Sequence, residues 1–173
     1  MEIRLVRPAA EHKEAALDFK KEFLENGERI INGGELLDQM DSYEEWLASV
    51  TANISPETVN PDWVVTDTYF AVDGSGRIVG VIDLRHELKG FLTDFGNTGY
   101  SVRPSERRKG YATEMLGRIL DRARETGFMS LQLSVERTNE PSVKTILLNG
   151  GVYERSFEHE GEAADVYRIH ILD

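Results

Sequence analysis

At 173 residues, 40% hydrophobic and 29% charged, the chain fits one domain with a substantial core and is neither disordered nor membrane-spanning in composition. A formal net charge of −11 argues against nucleic acid, which needs a basic footprint, and suits a cationic partner. The absence of cysteine excludes disulfides, thiolate metal sites and an acyl-cysteine intermediate.

Ile3 and Leu5 alternate with polar neighbours and predict a short strand ended by Pro8. The start, Met1 to Pro8, lacks the apolar region of a secretion signal, and the longest apolar run, Ile78 to Ile82, is far too short to span a bilayer. The simplest reading is a soluble cytoplasmic protein with no membrane partner. Ala15, Ala16, Phe19 and Phe23 fall on one face of a helix that stops at Asn26-Gly27. Asn32-Gly33-Gly34 breaks the helix, which is able to resume at Glu35-Leu36-Leu37. Asp41 or Ser42 can cap a second helix that buries Trp46, Leu47 and Val50.

The segment from 53 to 62, with Pro56 and Pro61, reads as loop. Thr68 to Val72 and Arg77 to Leu84 flank Asp73-Gly74-Ser75-Gly76, a hairpin turn, and a polar segment from Arg85 to Gly90 leads to a third strand, Asn97 to Val102. A basic turn follows. Ala112, Met115, Leu116, Ile119, Leu120 and Ala123 then mark one face of a helix ended by Thr126-Gly127. Met129, Leu131, Leu133 and Val135 predict a strand. Asn139 can cap a short helix with Pro141 in its first turn and Gly150-Gly151 after it. Val152 to Phe157 and Asp165 to Ile171 predict a last hairpin.

The order β–α–α–β–β–β–α–β–α–β–β, without repeats or linkers, predicts a single α+β domain over 1–173 around one mixed sheet. The unit from 97 to 135 is expected to be a right-handed parallel crossover whose first turn sits at a strand's carboxyl end, where open sheets place ligands. From Arg103 to Lys109 that turn carries four cations against Glu106, a local +3 in an acidic chain. Gly110 then stands where the helix begins. Unpaired N–H groups and the positive dipole end of a helix make an anion site, to which Arg107, Arg108 and Lys109 add charge.

Neither a Gly-x4-Gly-Lys-Ser/Thr loop nor a Gly-x-Gly-x-x-Gly fingerprint is present. Arg107-Arg108-Lys109-Gly110-Tyr111-Ala112 after Val102 instead resembles the GNAT superfamily of acyl-CoA-dependent N-acyltransferases, whose Gln/Arg-x-x-Gly-x-Gly/Ala motif wraps the pyrophosphate of coenzyme A. Asn139, opening a helix after the next strand, matches a family Asn near the pantetheine arm, and the element order matches over nearly the whole chain. The stretch from Gly99 to Thr113 is similar to a branch of predicted bacterial acetyltransferases in which a His stands where this chain has Asn97.

The resemblance implies a mostly antiparallel mixed sheet, helices on both faces, and a central strand pair that splays to admit pantetheine. It places acetyl-CoA on Tyr100, Val102, Arg107, Arg108, Lys109, Gly110, Tyr111, Ala112 and Thr113, with Asn139 and Ser142 downstream. The Val102 N–H would polarise the thioester carbonyl for direct attack by an amine. An alkyl amine near pKa 10.4 must lose a proton at a cost of about 4 to 5 kcal/mol near neutrality. Asp83, His86, Glu87 and Asp94 are the candidates to accept it. His86-Glu87 is not a zinc motif, because Gly90 stands where a second His is needed.

The family's usual general acid, a Tyr seven residues after the Asn, is Ile146 here; Tyr111, Tyr153 and Tyr167 are substitutes. The alternative is therefore an acyl-CoA-binding module without turnover. A hydrolase is disfavoured by the lack of Gly-x-Ser-x-Gly. A homodimer remains compatible with the sequence, and the segment from 27 to 62 is expected to shape the acceptor pocket.

Overall fold

The computed structural model describes residues 2–171, so Met1, Leu172 and Asp173 of the expected domain lie outside the described residues. Strand β1 (Ile3–Val6) leads through a 3-10 turn to α1 (Lys13–Glu25), and α2 (Tyr43–Ala52) follows an irregular loop. Ser42 caps α2, its Oγ accepting the Glu45 N–H at 3.2 Å. Residues 27 to 40 form turns rather than a resumed helix, because Glu35 and Leu36 hold positive φ values of 52° and 72°.

Strands β2 (Thr66–Asp73) and β3 (Ile78–Arg85) form the expected hairpin, and α3 (Leu92–Phe95) is a single helical turn between the polar segment and the third expected strand. Then come β4 (Tyr100–Val102), α4 (Tyr111–Thr126), β5 (Ser130–Glu136), α5 (Glu140–Leu148), β6 (Gly151–His159) and β7 (Glu162–His170).

The fold is α+β, but the strands form two sheets, β1-β2-β3-β4 and β5-β7-β6, in place of one. Every ladder among the described residues is antiparallel, which corrects the expectation of a mixed sheet. No parallel ladder joins β4 to β5; one antiparallel bridge, Gly96 to Leu133, connects the two sheets. The physical reason lies in Asn97. Its Nδ2 donates to the Arg85 carbonyl at 2.9 Å while its Oδ1 accepts the Gln132 N–H at 3.0 Å. A side-chain amide thus pins the strands at one end, and beyond it they splay.

Apolar side chains on both sides of the sheets divide into two cores. Phe19, Phe23, Trp46, Phe70 and Val81 bury one face under α1 and α2. Ile82, Met115, Leu116, Ile119, Leu133 and Ile146 bury the other under α4 and α5. Met115, Leu116, Ile119 and Ala123 are the buried face of α4, as the helical spacing predicts. Among the described residues no helix is long and apolar enough to cross a membrane.

Candidate active site

The register of β4 against β3 fixes which backbone groups are free. The Asp83 N–H donates to the Gly99 carbonyl at 3.1 Å, and the Arg103 N–H donates to the Val79 carbonyl at 2.7 Å. Antiparallel bonding alternates, so the N–H groups of Tyr100 and Val102, between these points, face away from β3 and into the gap before β5. The Val102 carbonyl is taken by Arg107 Nε at 3.1 Å, whereas its N–H stays directed at the gap.

The turn from Arg103 to Gly110 is less positive than its sequence. Arg103 is buried, with its side chain 2% exposed, and it lies over the Phe19 ring with Nη1 2.9 Å from Asp18 and 3.3 Å from Glu22. It is a buried cation paired with carboxylates of α1 that reach the surface, tying β4 to α1 and drawing its charge away from the turn. Arg107 makes a forked pair with Glu28 at 2.8 and 2.9 Å, and its hydrogen bonds hold the Glu28 carboxyl below its ordinary range. Lys109 pairs with Glu106 at 2.9 Å. Arg108, at φ 64°, has no ion pair among the described residues. Gly110, at φ 86°, begins α4, and the first helical bond runs from the Glu114 N–H to its carbonyl. Tyr111, Ala112 and Thr113 therefore present N–H groups with no acceptor inside the helix.

Asn139 caps α5, its Oδ1 accepting the Ser142 N–H at 3.3 Å. The Ser142 hydroxyl lies 2.7 Å from the Tyr100 hydroxyl, so the structure brings these two together between β4 and α5. Burial raises the Tyr100 phenol, against the opposing pull of Ser142. Ile146 sits in the core at 1% exposure and offers no hydroxyl. Of the substitutes, Tyr111 is partly buried on the same core, while Tyr153 hydrogen-bonds Ser156 and stacks edge-on with Tyr167.

Three of the proton-acceptor candidates are not brought together with β4. His86 Nε2 lies 2.7 Å from Asp67, with the ring against Phe128 beyond the far end of α4. Glu87 is exposed, and Asp94 is paired with Arg155 at 2.7 Å on the surface. Asp83 is different. It is fully buried, and its Oδ1 accepts the Gly99 N–H at 2.7 Å while Oδ2 meets Arg85 at 3.1 Å.

Beside Asp83 stands Glu35, which sequence reasoning passed over. The loop bearing it lies on β4 so closely that a Cβ at Gly33 would fall 2.2 Å from the Gly99 carbonyl oxygen. Ser101 Oγ donates to the Asn32 carbonyl at 2.8 Å. The Trp46 indole N–H serves the Gly34 and Glu35 carbonyls, and the Trp63 indole N–H donates to Glu35 Oε1 at 2.8 Å. Burial, then the neighbouring Asp83, raises the Glu35 carboxyl to about 8; it hydrogen-bonds Asp83, and burial raises that group too. Glu35 therefore keeps its proton near neutrality, while Arg85 and the Gly99 N–H favour the charged form of Asp83 against the burial that raises it. The only sequence signal was Asn32-Gly33-Gly34, a mark of close backbone approach that reads equally well as a helix stop.

Among the described residues no three His, Asp or Glu side chains gather to hold a metal ion. A profile of the acetyltransferase (GNAT) family matches residues 37–147, and the chain belongs to that family; acetyl-CoA is accordingly its acyl donor. Comparison with curated proteins finds no match. Solved structures share the fold. RimL, a ribosomal alpha-N-protein acetyltransferase in complex with coenzyme A, is 15% identical at TM-score 0.71 over 98% of this chain and 94% of its own. The yncA protein of Salmonella typhimurium, solved with its cofactor acetyl-CoA, is 13% identical at TM-score 0.69 over 99% and 95%. A spermidine N-acetyltransferase, SpeG of Vibrio cholerae in chimera with hSSAT, is 15% identical at TM-score 0.67 over 98% and 96%.

Proposed function

We infer that the chain is an N-acetyltransferase that moves an acetyl group from acetyl-CoA to a primary amine of a small molecule or peptide by direct attack. The observation that carries this reading is the pair of N–H groups at Tyr100 and Val102 facing the gap between β4 and β5. Preorganised donors on one rigid edge suit a pantetheine arm and a thioester carbonyl that gains charge as nitrogen attacks. The free N–H groups of Tyr111 to Thr113, with Arg108 beside them, suit the pyrophosphate, while Arg107 and Lys109 are within the same turn. Asn139 and Ser142 border the donor from α5, and the Tyr100 hydroxyl is the group we assign to return a proton to the departing thiolate.

The acidic chain suits a cationic acceptor and a cytoplasmic setting. The free edge of β6, with Val152 and Tyr153 exposed, supports a homodimer, which sedimentation tests. Calorimetry with acetyl-CoA and a thiol-release assay over an amine panel test the transfer itself. The cysteine-free chain adds no thiol background. A second reading, an acyl-CoA-binding module without turnover, is favoured by Ile146 in the place of the family's tyrosine. Tight acetyl-CoA binding with no amine-dependent thiol release would select it.

A further inference from the structure

Trp63 connects two features. One face of the segment from Pro61 to Val64 and the segment from Lys89 to Leu92 enclose an open cavity of about 390 Å³. Its apolar wall is formed by Trp63, Val64, Phe91 and Leu92, with Trp63 and Phe91 rings 5.8 Å apart and Phe91 61% exposed. Asp62 and Lys89 leave the lining without net charge. The indole N–H of the same Trp63 donates to Glu35, so the cavity wall is the outer support of the Glu35–Asp83 pair. Asp83 in turn binds the N–H of Gly99, the residue before Tyr100. An acidic pair thus lies between an aromatic cavity and the strand edge assigned to the thioester.

We propose that the acceptor is a monoamine carried on an aromatic or apolar group, which stands against Trp63 and Phe91 and places its ammonium on the Glu35–Asp83 carboxyls, with Glu35 as the general base. This rests on the acetyl-transfer reading for the reaction and on the cavity and carboxyl geometry for the substrate class. Binding of the ammonium expels the Glu35 proton to solvent. The ammonium then gives one proton to Glu35, the freed nitrogen forms the C–N bond, the C–S bond breaks, and the second nitrogen proton ends on sulfur. One proton is released per turnover. The groups facing the pair are Arg85 on β3, the Gly99 N–H before β4 and the Trp63 indole; in the cavity lining Asp62 stands against Lys89, so a second cationic centre meets no net negative charge there.

Calorimetry on the CoA-loaded protein near neutral pH, in two buffers of different ionisation enthalpy, compares phenethylamine with spermidine. Phenethylamine is expected to bind ~10-fold tighter and to release about one proton. Glu35→Gln should release none, and should slow thiol production from acetyl-CoA and phenethylamine by ~100-fold or more with acetyl-CoA affinity unchanged. Phe91→Ala, at an exposed position that leaves folding intact, should weaken phenethylamine and spare spermidine. Tighter spermidine binding, proton release that survives in Glu35→Gln, or unaltered turnover in that variant would each overturn the proposal. Proton-linked phenethylamine binding without any thiol release would instead refute acetyl transfer and leave the carboxyl site standing.

Discussion

Raising the pH from about 5 to about 9 should destabilise the native protein, and Glu35→Gln should remove most of that loss. The Glu35 carboxyl has an ordinary value of 4.5 and is raised to about 8 in the fold. The native state therefore keeps a proton that the unfolded chain releases above 4.5. The stabilisation is complete below that value and is lost as pH rises through about 8. At ~1.4 kcal/mol per pH unit, the shift sets an upper limit of ~5 kcal/mol. Local opening sets a lower one. The loop is held on β4 and α2 by the Trp46 and Trp63 indole N–H groups and by Ser101 Oγ. At ~1 kcal/mol each, these bonds would yield before the full penalty is reached, so a loss of ~3 kcal/mol is expected. Glu22, Glu28 and Asp165 are lowered rather than raised, and their contributions are lost only as pH falls on the acid side of this window. Urea unfolding at several pH values, followed by tryptophan fluorescence, measures the slope. Stability that is constant across the window, or a slope equal in Glu35→Gln, would refute a proton held by the Glu35–Asp83 pair.

Gly110→Val places a β-branched residue at φ 86°, where it is strained by ~2 kcal/mol, at the helix start assigned to phosphate. Acetyl-CoA affinity should fall ~10-fold or more while far-ultraviolet circular dichroism persists; unchanged affinity by calorimetry would remove the anion site. Gly96→Ala would put a Cβ 2.2 Å from the Gln132 carbonyl at φ 90°, and thermal unfolding should reveal a loss of ~3 kcal/mol. An unaltered melting temperature would show that the vertex between the two sheets is not the constraint described. Tyr100→Phe removes the hydroxyl bonded to Ser142, and kcat should fall ~10-fold at unchanged acetyl-CoA affinity. Equal kcat would assign the thiolate proton to solvent.

The elements around the turn assigned to the donor were legible because they are local in the chain. Strand end, turn, Gly110 and the face of α4 occupy consecutive residues, and helical spacing alone identifies Met115, Leu116, Ile119 and Ala123. What the spacing did not reveal was the disposition of charge. Arg103 reads as one more cation of a basic turn, yet it is buried against Phe19 with Asp18 and Glu22, eighty or more positions away in sequence. A run of like charges carries no mark that distinguishes a ligand-facing cation from one neutralised by a distant acid. The expectation of one mixed sheet failed for a related reason. Strand propensity from Asn97 to Val102 is satisfied by pairing with β3, and the break toward β5 depends on a single side-chain amide, Asn97, taking a ladder position.

The carboxyl pair illustrates the same limit more sharply. Glu35 lies in a Gly-rich loop, Asp83 in a buried strand and Trp63 in a Pro-flanked loop, and no pairwise spacing relates them. Only the close approach of Gly33 to Gly99 brings the three into one cluster beside β4. Such a cluster is expensive to maintain. It requires positive φ at Glu35 and Leu36, two indole donors and two carboxyls in contact, of which burial would expel the second charge. Packing alone gives no reason for a carboxyl at 35, since an amide would accept the Trp63 N–H without repelling Asp83. A carboxyl whose proton leaves when a cation arrives does give one. The strain at Glu35 and the proton it holds are then two aspects of a single arrangement, in which the arriving ammonium balances the charge that Glu35 gains as its proton leaves.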